Sequence, residues 1–85
     1  MIEPTPHTDL HLEFTVEPFV EHRPGPHVLA AIDAARVDQD LDVEVGPFGT
    51  SVRGERDAVL KAATEVLARA FANGATRVVL QVSTD

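Results

Sequence analysis

With 85 residues, 44 % of them apolar, the chain has room for one small globular domain and no more. Fourteen acidic against seven basic residues give a net charge of −7, which repels phosphate backbones, argues against nucleic-acid binding and mildly favours a cationic small molecule. The absence of cysteine excludes disulfides, thiolate metal sites and cysteine catalysis, so a domain this small is expected to gain support by self-association, as a dimer or tetramer.

The opening residues are polar and proline-rich, with no basic start or apolar run that would read as a signal peptide. No stretch approaches the ~20 apolar residues of a membrane span, so the expectation is a cytoplasmic protein without a membrane partner. Residues 1–9, with Pro4 and Pro6, read as a flexible arm, and 10–85 as a single domain.

From Leu10 the chain alternates. Leu10, Leu12, Phe14 and Val16 fall on one side and His11, Glu13, Thr15 and Glu17 on the other, which predicts a strand with one buried face that ends at Pro18. A loop follows, and Pro26 suits the first turn of a helix because its missing N–H has no partner there anyway. The helix is expected from His27 to about Val37, with Val28, Ile32 and Ala35 as its stripe and Ala30, Ala31 and Ala34 adding helix propensity. Asp38-Gln39-Asp40 closes it, with Asp40 expected in the left-handed conformation in place of glycine.

Leu41, Val43 and Val45 mark a second strand, Gly46-Pro47-Phe48-Gly49 a turn, and Thr50 to Arg53 a third strand. A long helix is predicted from Glu55 to Asn73, with Leu60, Ala63, Leu67, Ala70 and Phe71 as its apolar stripe and Val59 and Val66 on the margin. Asn73-Gly74 stops this helix, and Arg77 to Val82 forms the last strand, with Val78, Leu80 and Val82 facing in.

The order β-α-β-β-α-β predicts a ferredoxin-like α+β fold. Two helices, each with one apolar stripe, cover one face of a four-stranded antiparallel sheet with spatial strand order 4-1-3-2. The other face is left to Glu13, Thr15 and Glu17, with Asp42, Glu44, Ser51, Arg53, Val79 and Gln81 from the neighbouring strands. It reads as a solvated face with weak ion pairs, a subunit interface, or the rim of a polar ligand site. Phe19 and Phe48 sit beside turns, where each either caps one end of the core or stacks on a flat heterocycle.

The four histidines do not make a metal site. His7 and His11 lie in extended chain, His22 and His27 straddle a Pro-Gly-Pro loop, and no metal-ligand spacing is present. No nucleophile elbow or phosphate loop occurs, so no enzyme is expected. The catalytic alternative would use Glu13, Glu17 or Glu44 as acid or base.

Three segments resemble one family. Gly46-Pro47-Phe48-Gly49-Thr50 followed by Arg53-Gly54-Glu55, Thr15-Val16-Glu17-Pro18-Phe19, and Gly74-Ala75-Thr76-Arg77-Val78 are similar to the motifs of small thiamine-binding proteins, over about residues 12–82. The resemblance implies a ferredoxin-like oligomer that binds thiamine or its hydroxymethylpyrimidine moiety without chemistry and without a further cofactor. It carries ligand contacts onto Thr15, Glu17, Pro47, Phe48, Gly49, Thr50, Gly54 and Glu55, with Phe19 beside them. Many relatives have a histidine in the second helix where this chain has Leu67, and many continue past the last strand, where this chain stops at Asp85. The alternative reading is a structural or regulatory homo-oligomer.

Overall fold

The computed structural model describes residues 9–19 and 24–84. Its elements run β1 (Asp9–Glu17), α1 (Pro26–Ala35), β2 (Asp42–Val45), β3 (Thr50–Glu55), α2 (Arg56–Ala72) and β4 (Arg77–Thr84). All sheet pairings are antiparallel and the spatial order is β2-β3-β1-β4, which is the ferredoxin-like arrangement expected from the sequence. Asp9, assigned to the arm by its sequence, is the first residue of β1, and the arm's other residues lie outside the described part.

The alternation along β1 organises the sheet. Leu10, Leu12, Phe14 and Val16 are all buried, while Glu13 and Thr15 are exposed on the other face. Register carries the pattern outward: Leu12 lies opposite Val52 on β3 and Val82 on β4, and Phe14 opposite Thr50 and Leu80. The core grows from this inner face, with Val52 from β3, Ala31, Ala34 and Ala35 from α1, and Val59, Val66 and Ala70 from α2.

Both helices depart in detail from the sequence reading. The buried stripe of α2 is Val59, Ala62, Ala63, Val66 and Ala70, whereas Leu60 and Phe71 are 47 % and 52 % exposed and Leu67 is half-buried. The stripe is therefore turned toward the residues placed on its margin. Alanine and valine let α2 approach the sheet and α1 closely, so the larger leucine and phenylalanine fall outside. In α1 likewise, Ala31 and Ala34 are core contacts, while Val28 is only half-buried and Leu29 is exposed.

α1 stops at Ala35, before Val37, with Arg36 as its C-cap at φ −91°. The Asp38-Gln39-Asp40 segment is a separate turn, in which the Asp38 carboxylate accepts the Asp40 N–H at 2.9 Å and the Asp38 carbonyl accepts the Leu41 N–H at 3.2 Å. An aspartate that bonds the amide two residues on makes this turn without the helix-terminal left-handed residue that the sequence suggested. At the end of α2 the expectation holds: Gly74 takes φ +100°, Ala75 N–H donates to Ala70 C=O at 3.0 Å and Gly74 N–H to Phe71 C=O at 3.4 Å.

β3 runs into α2 with no intervening residue, and Glu55 is both the last strand residue and the N-cap of the helix. β4 continues two residues beyond the expected Val82, and Val82 itself is 46 % exposed on this edge strand, although Leu12 opposite it on the central strand is fully buried. No helix among the described residues is long and apolar enough to cross a membrane.

Candidate functional site

The β2–β3 turn is closed by the Gly46 N–H donating to the Gly49 carbonyl at 2.8 Å, which presents Pro47 and Phe48 at its tip. Gly49 is pressed against β1: a Cβ there would lie 3.1 Å from the Phe14 carbonyl oxygen and 3.2 Å from the Thr15 methyl. Only a residue without a side chain lets the turn dock this closely. The docked turn stands across the end of the sheet and has a hollow on each side.

On the helix side is a cleft of about 390 Å³. Phe14, Val16, Thr50 and Val45 come from the sheet, Val28 and Ile32 from α1, and Phe19 and Phe48 stand at the mouth. Phe19 is 70 % and Phe48 86 % exposed, so neither ring caps the core, while Thr50 is almost fully buried. No charged side chain lines this cleft among the described residues. It is the size and polarity of a site for a small, flat organic molecule.

On the open face of the sheet is a second hollow of about 450 Å³, which shares Phe14, Thr15 and residues 46–50 with the first. Its other walls are polar, from Glu13, Ser51 and Gln81, with Val79 beside them. Glu13 is its one charged lining residue among those described, and its carboxylate lies 3.4 Å from Nε2 of His11.

The chain is anchored behind Phe19 by His27. This histidine lies in the first turn of α1, is buried, and donates its Nε2–H to the Pro18 carbonyl at 2.6 Å. The bond ties the start of α1 to the exit of β1, which places Phe19 opposite the Pro-Phe turn. His27 thus has a structural partner, and among the described residues no group of three or more His, Asp or Glu side chains could hold a metal ion. His7 and His22 lie outside the described residues.

Six of the residues singled out in the sequence come together at the cleft: Thr15, Phe19, Pro47, Phe48, Gly49 and Thr50. Glu17 lies just beyond it, half-buried, in register with Arg77 and with its carboxylate 3.5 Å from that guanidinium. An exposed pair of this kind is worth ~0–1 kcal/mol. Glu55 is at the far end of β3, roughly 17 Å from Thr50 at the rise of an extended strand. Its carboxylate accepts the Asp57 and Ala58 amides at 3.1 and 3.2 Å and so caps α2. Gly54 makes room for a neighbour, since a Cβ there would lie 2.5 Å from a methyl of Leu41. Sequence reasoning did not single out Val28, Ile32 and Val45 as lining residues, because their pattern marks them only as core-facing.

Fold and cleft together define a small α+β domain of ferredoxin-like topology with a ligand-sized recess where its sheet ends. A family model described as thiamine-binding protein matches residues 12–85, and the chain belongs to that family. Among solved structures, a Thermotoga maritima protein provisionally assigned to thiamine biosynthesis or salvage is 28 % identical, with TM-score 0.65 over 91 % of this chain and 82 % of its own. A hypothetical protein from Methanocaldococcus jannascii is likewise 28 % identical, with TM-score 0.67 over 91 % and 78 % of the two chains. A domain of unknown function from Bacillus cereus, at 22 % identity and TM-score 0.66 over 91 % and 74 %, shares the fold. No curated protein is significantly similar in sequence.

Proposed function

We propose that the protein binds thiamine, or its hydroxymethylpyrimidine half, in the cleft beside the Pro-Phe turn, without chemical conversion. The observation that carries this reading is an uncharged recess of about 390 Å³ with two exposed phenylalanine rings at its mouth, built on the turn that carries the family motif. A neutral aminopyrimidine gains by stacking on Phe19 or Phe48, and the Thr50 hydroxyl in the floor offers it a directional donor or acceptor. The thiazolium is a cation, and the hollow across the turn contains the Glu13 carboxylate. Among the described residues neither hollow is lined by Lys or Arg, which favours the unphosphorylated ligand over its phosphate esters.

The three glutamates considered as acid or base do not gather around the cleft. Glu13 and Glu44 are exposed, Glu17 faces Arg77, and none of them lines the apolar recess. This supports binding rather than catalysis. Calorimetric titration with thiamine, hydroxymethylpyrimidine and thiamine diphosphate tests the proposal. Saturable binding of either of the first two, with the diphosphate weaker, is expected. Failure of both to bind at millimolar concentration overturns it.

A further inference from the structure

The carboxylates of the open face are not equally provided for. Asp42 lies opposite Arg53, and the Glu17 carboxylate is 3.5 Å from the Arg77 guanidinium. Glu13 sits on the central strand, where glutamate is a poor strand former, and its register partners are the uncharged Ser51 on β3 and Gln81 on β4. Among the described residues the one basic side chain in ion-pair range of Glu13 is His11, whose Nε2 is 3.4 Å away, buried and without a hydrogen-bond partner. His11 lies two residues back along β1, whereas the Pro-Phe turn docks at Phe14 and Thr15. The histidine therefore backs the carboxylate on the side away from the turn, and the hollow opens on the other. A carboxylate without Lys or Arg beside it in the middle of a sheet departs from the rules of strand construction, and such departures mark functional sites.

We propose that the hollow of about 450 Å³ on the open face is a binding site for a small organic cation, separate from the cleft on the helix side. Glu13 supplies the charge. The Phe48 ring offers the aromatic face to which a positive group is drawn, Pro47 and Val79 cover its alkyl part, and Ser51 and Gln81 flank it with neutral polar groups. No Lys or Arg lines the hollow among the described residues, and the net charge of −7 draws cations toward the chain. One carboxylate among neutral neighbours gives a metal ion too few oxygen ligands, whereas the apolar walls suit an alkylated ammonium. The turn, docked on β1, stands between hollow and cleft, so a molecule that never enters the cleft can fill the hollow. The site goes beyond the ligand reading above and stands without it.

Amide NMR titration of the full chain tests the site with choline and with its uncharged isostere, in which a tert-butyl group replaces the trimethylammonium. Saturable choline shifts are expected at Glu13, Ser51, Val79 and Gln81, with a Kd of about 10 mM or tighter and the isostere at least about fivefold weaker. Glu13→Gln should weaken choline at least about fivefold with circular dichroism unchanged. Glu44→Gln makes the same change in net charge in the same cross-strand row, outside the hollow, and should hold the affinity within about twofold. Should Glu13→Gln fail to fold, the ratio of choline to isostere in the parent decides alone. Choline bound no tighter than the isostere, an equal loss in both variants, or shifts confined to Val28 and Ile32 in the cleft would each overturn the proposal. Saturating hydroxymethylpyrimidine should leave the choline affinity unchanged. Choline binding in a chain that takes up neither thiamine nor the pyrimidine would sink the ligand reading alone, and thiamine binding without choline binding would sink this one alone.

Discussion

Replacing Phe48 with alanine separates a ligand-stacking ring from a structural one. The side chain is 86 % exposed, so only about a seventh of it is buried. Against ~3 kcal/mol for complete burial of a phenylalanine, its removal costs ~0.4 kcal/mol of stability, or a fall in Tm of ~2–3 °C in a domain of this size. Stacking one face of the ring on a heterocycle covers ~80 Å², which at ~25 cal/mol per Å² is ~2 kcal/mol of binding energy. Calorimetric titration of thiamine or hydroxymethylpyrimidine into Phe48→Ala should therefore give an affinity about 30-fold weaker than the parent, while the thermal melt barely moves. An affinity within threefold of the parent would refute the stacking argument. A fall of ten degrees or more would show instead that the ring supports the turn.

Gly49→Ala should lower stability by ~1–3 kcal/mol, read from the urea midpoint, because the new methyl would stand 3.1 Å from the Phe14 carbonyl oxygen and push the turn off β1. Glu55→Ala removes the acceptor for two amides at the start of α2 and should cost ~0.5–2 kcal/mol with ligand affinity unchanged. The reverse pattern, weakened binding at full stability, would make Glu55 a ligand residue. Val59→Ala should destabilise by ~2 kcal/mol and Leu60→Ala by less than ~1 kcal/mol in denaturant titrations, since the first side chain is fully buried and the second 47 % exposed. The opposite ranking would mean that α2 is rotated about its axis.

The sequence marks its elements more clearly than it marks the faces of its helices. Strand alternation is unambiguous in β1 because Leu10, Leu12, Phe14 and Val16 are separated by polar residues, and one such strand at the centre dictates which sides of β3 and β4 face in. The phase of α2 is harder to read, because Leu60 and Phe71 outweigh alanine on any scale of hydrophobicity. Close approach rewards small residues, and that preference belongs to the neighbouring elements rather than to the helix. The same effect hides the packing role of Ala31 and Ala34 in α1, which look like mere helix formers. At the candidate site, glycine and proline make the Phe48 turn legible, and exposed aromatics beside a turn attract notice. The remaining wall of the cleft comes from Val28, Ile32 and Val45, whose apolar character is equally suited to a core. Glu55 shows the limit of motif spacing. It lies five residues from Thr50, yet an extended strand carries it to the other end of the sheet, where it closes a helix.

The absence of any residue between β3 and α2 leaves the chain no slack there. Each residue of an α-helix advances its side chains by ~100° about the axis, so one amino acid inserted after Glu55 would swing Val59 and Val66 from the sheet toward water. One deleted would swing them as far the other way. The junction therefore acts like a keyed coupling, in which the hairpin that carries Phe48 dictates the orientation of the whole helix.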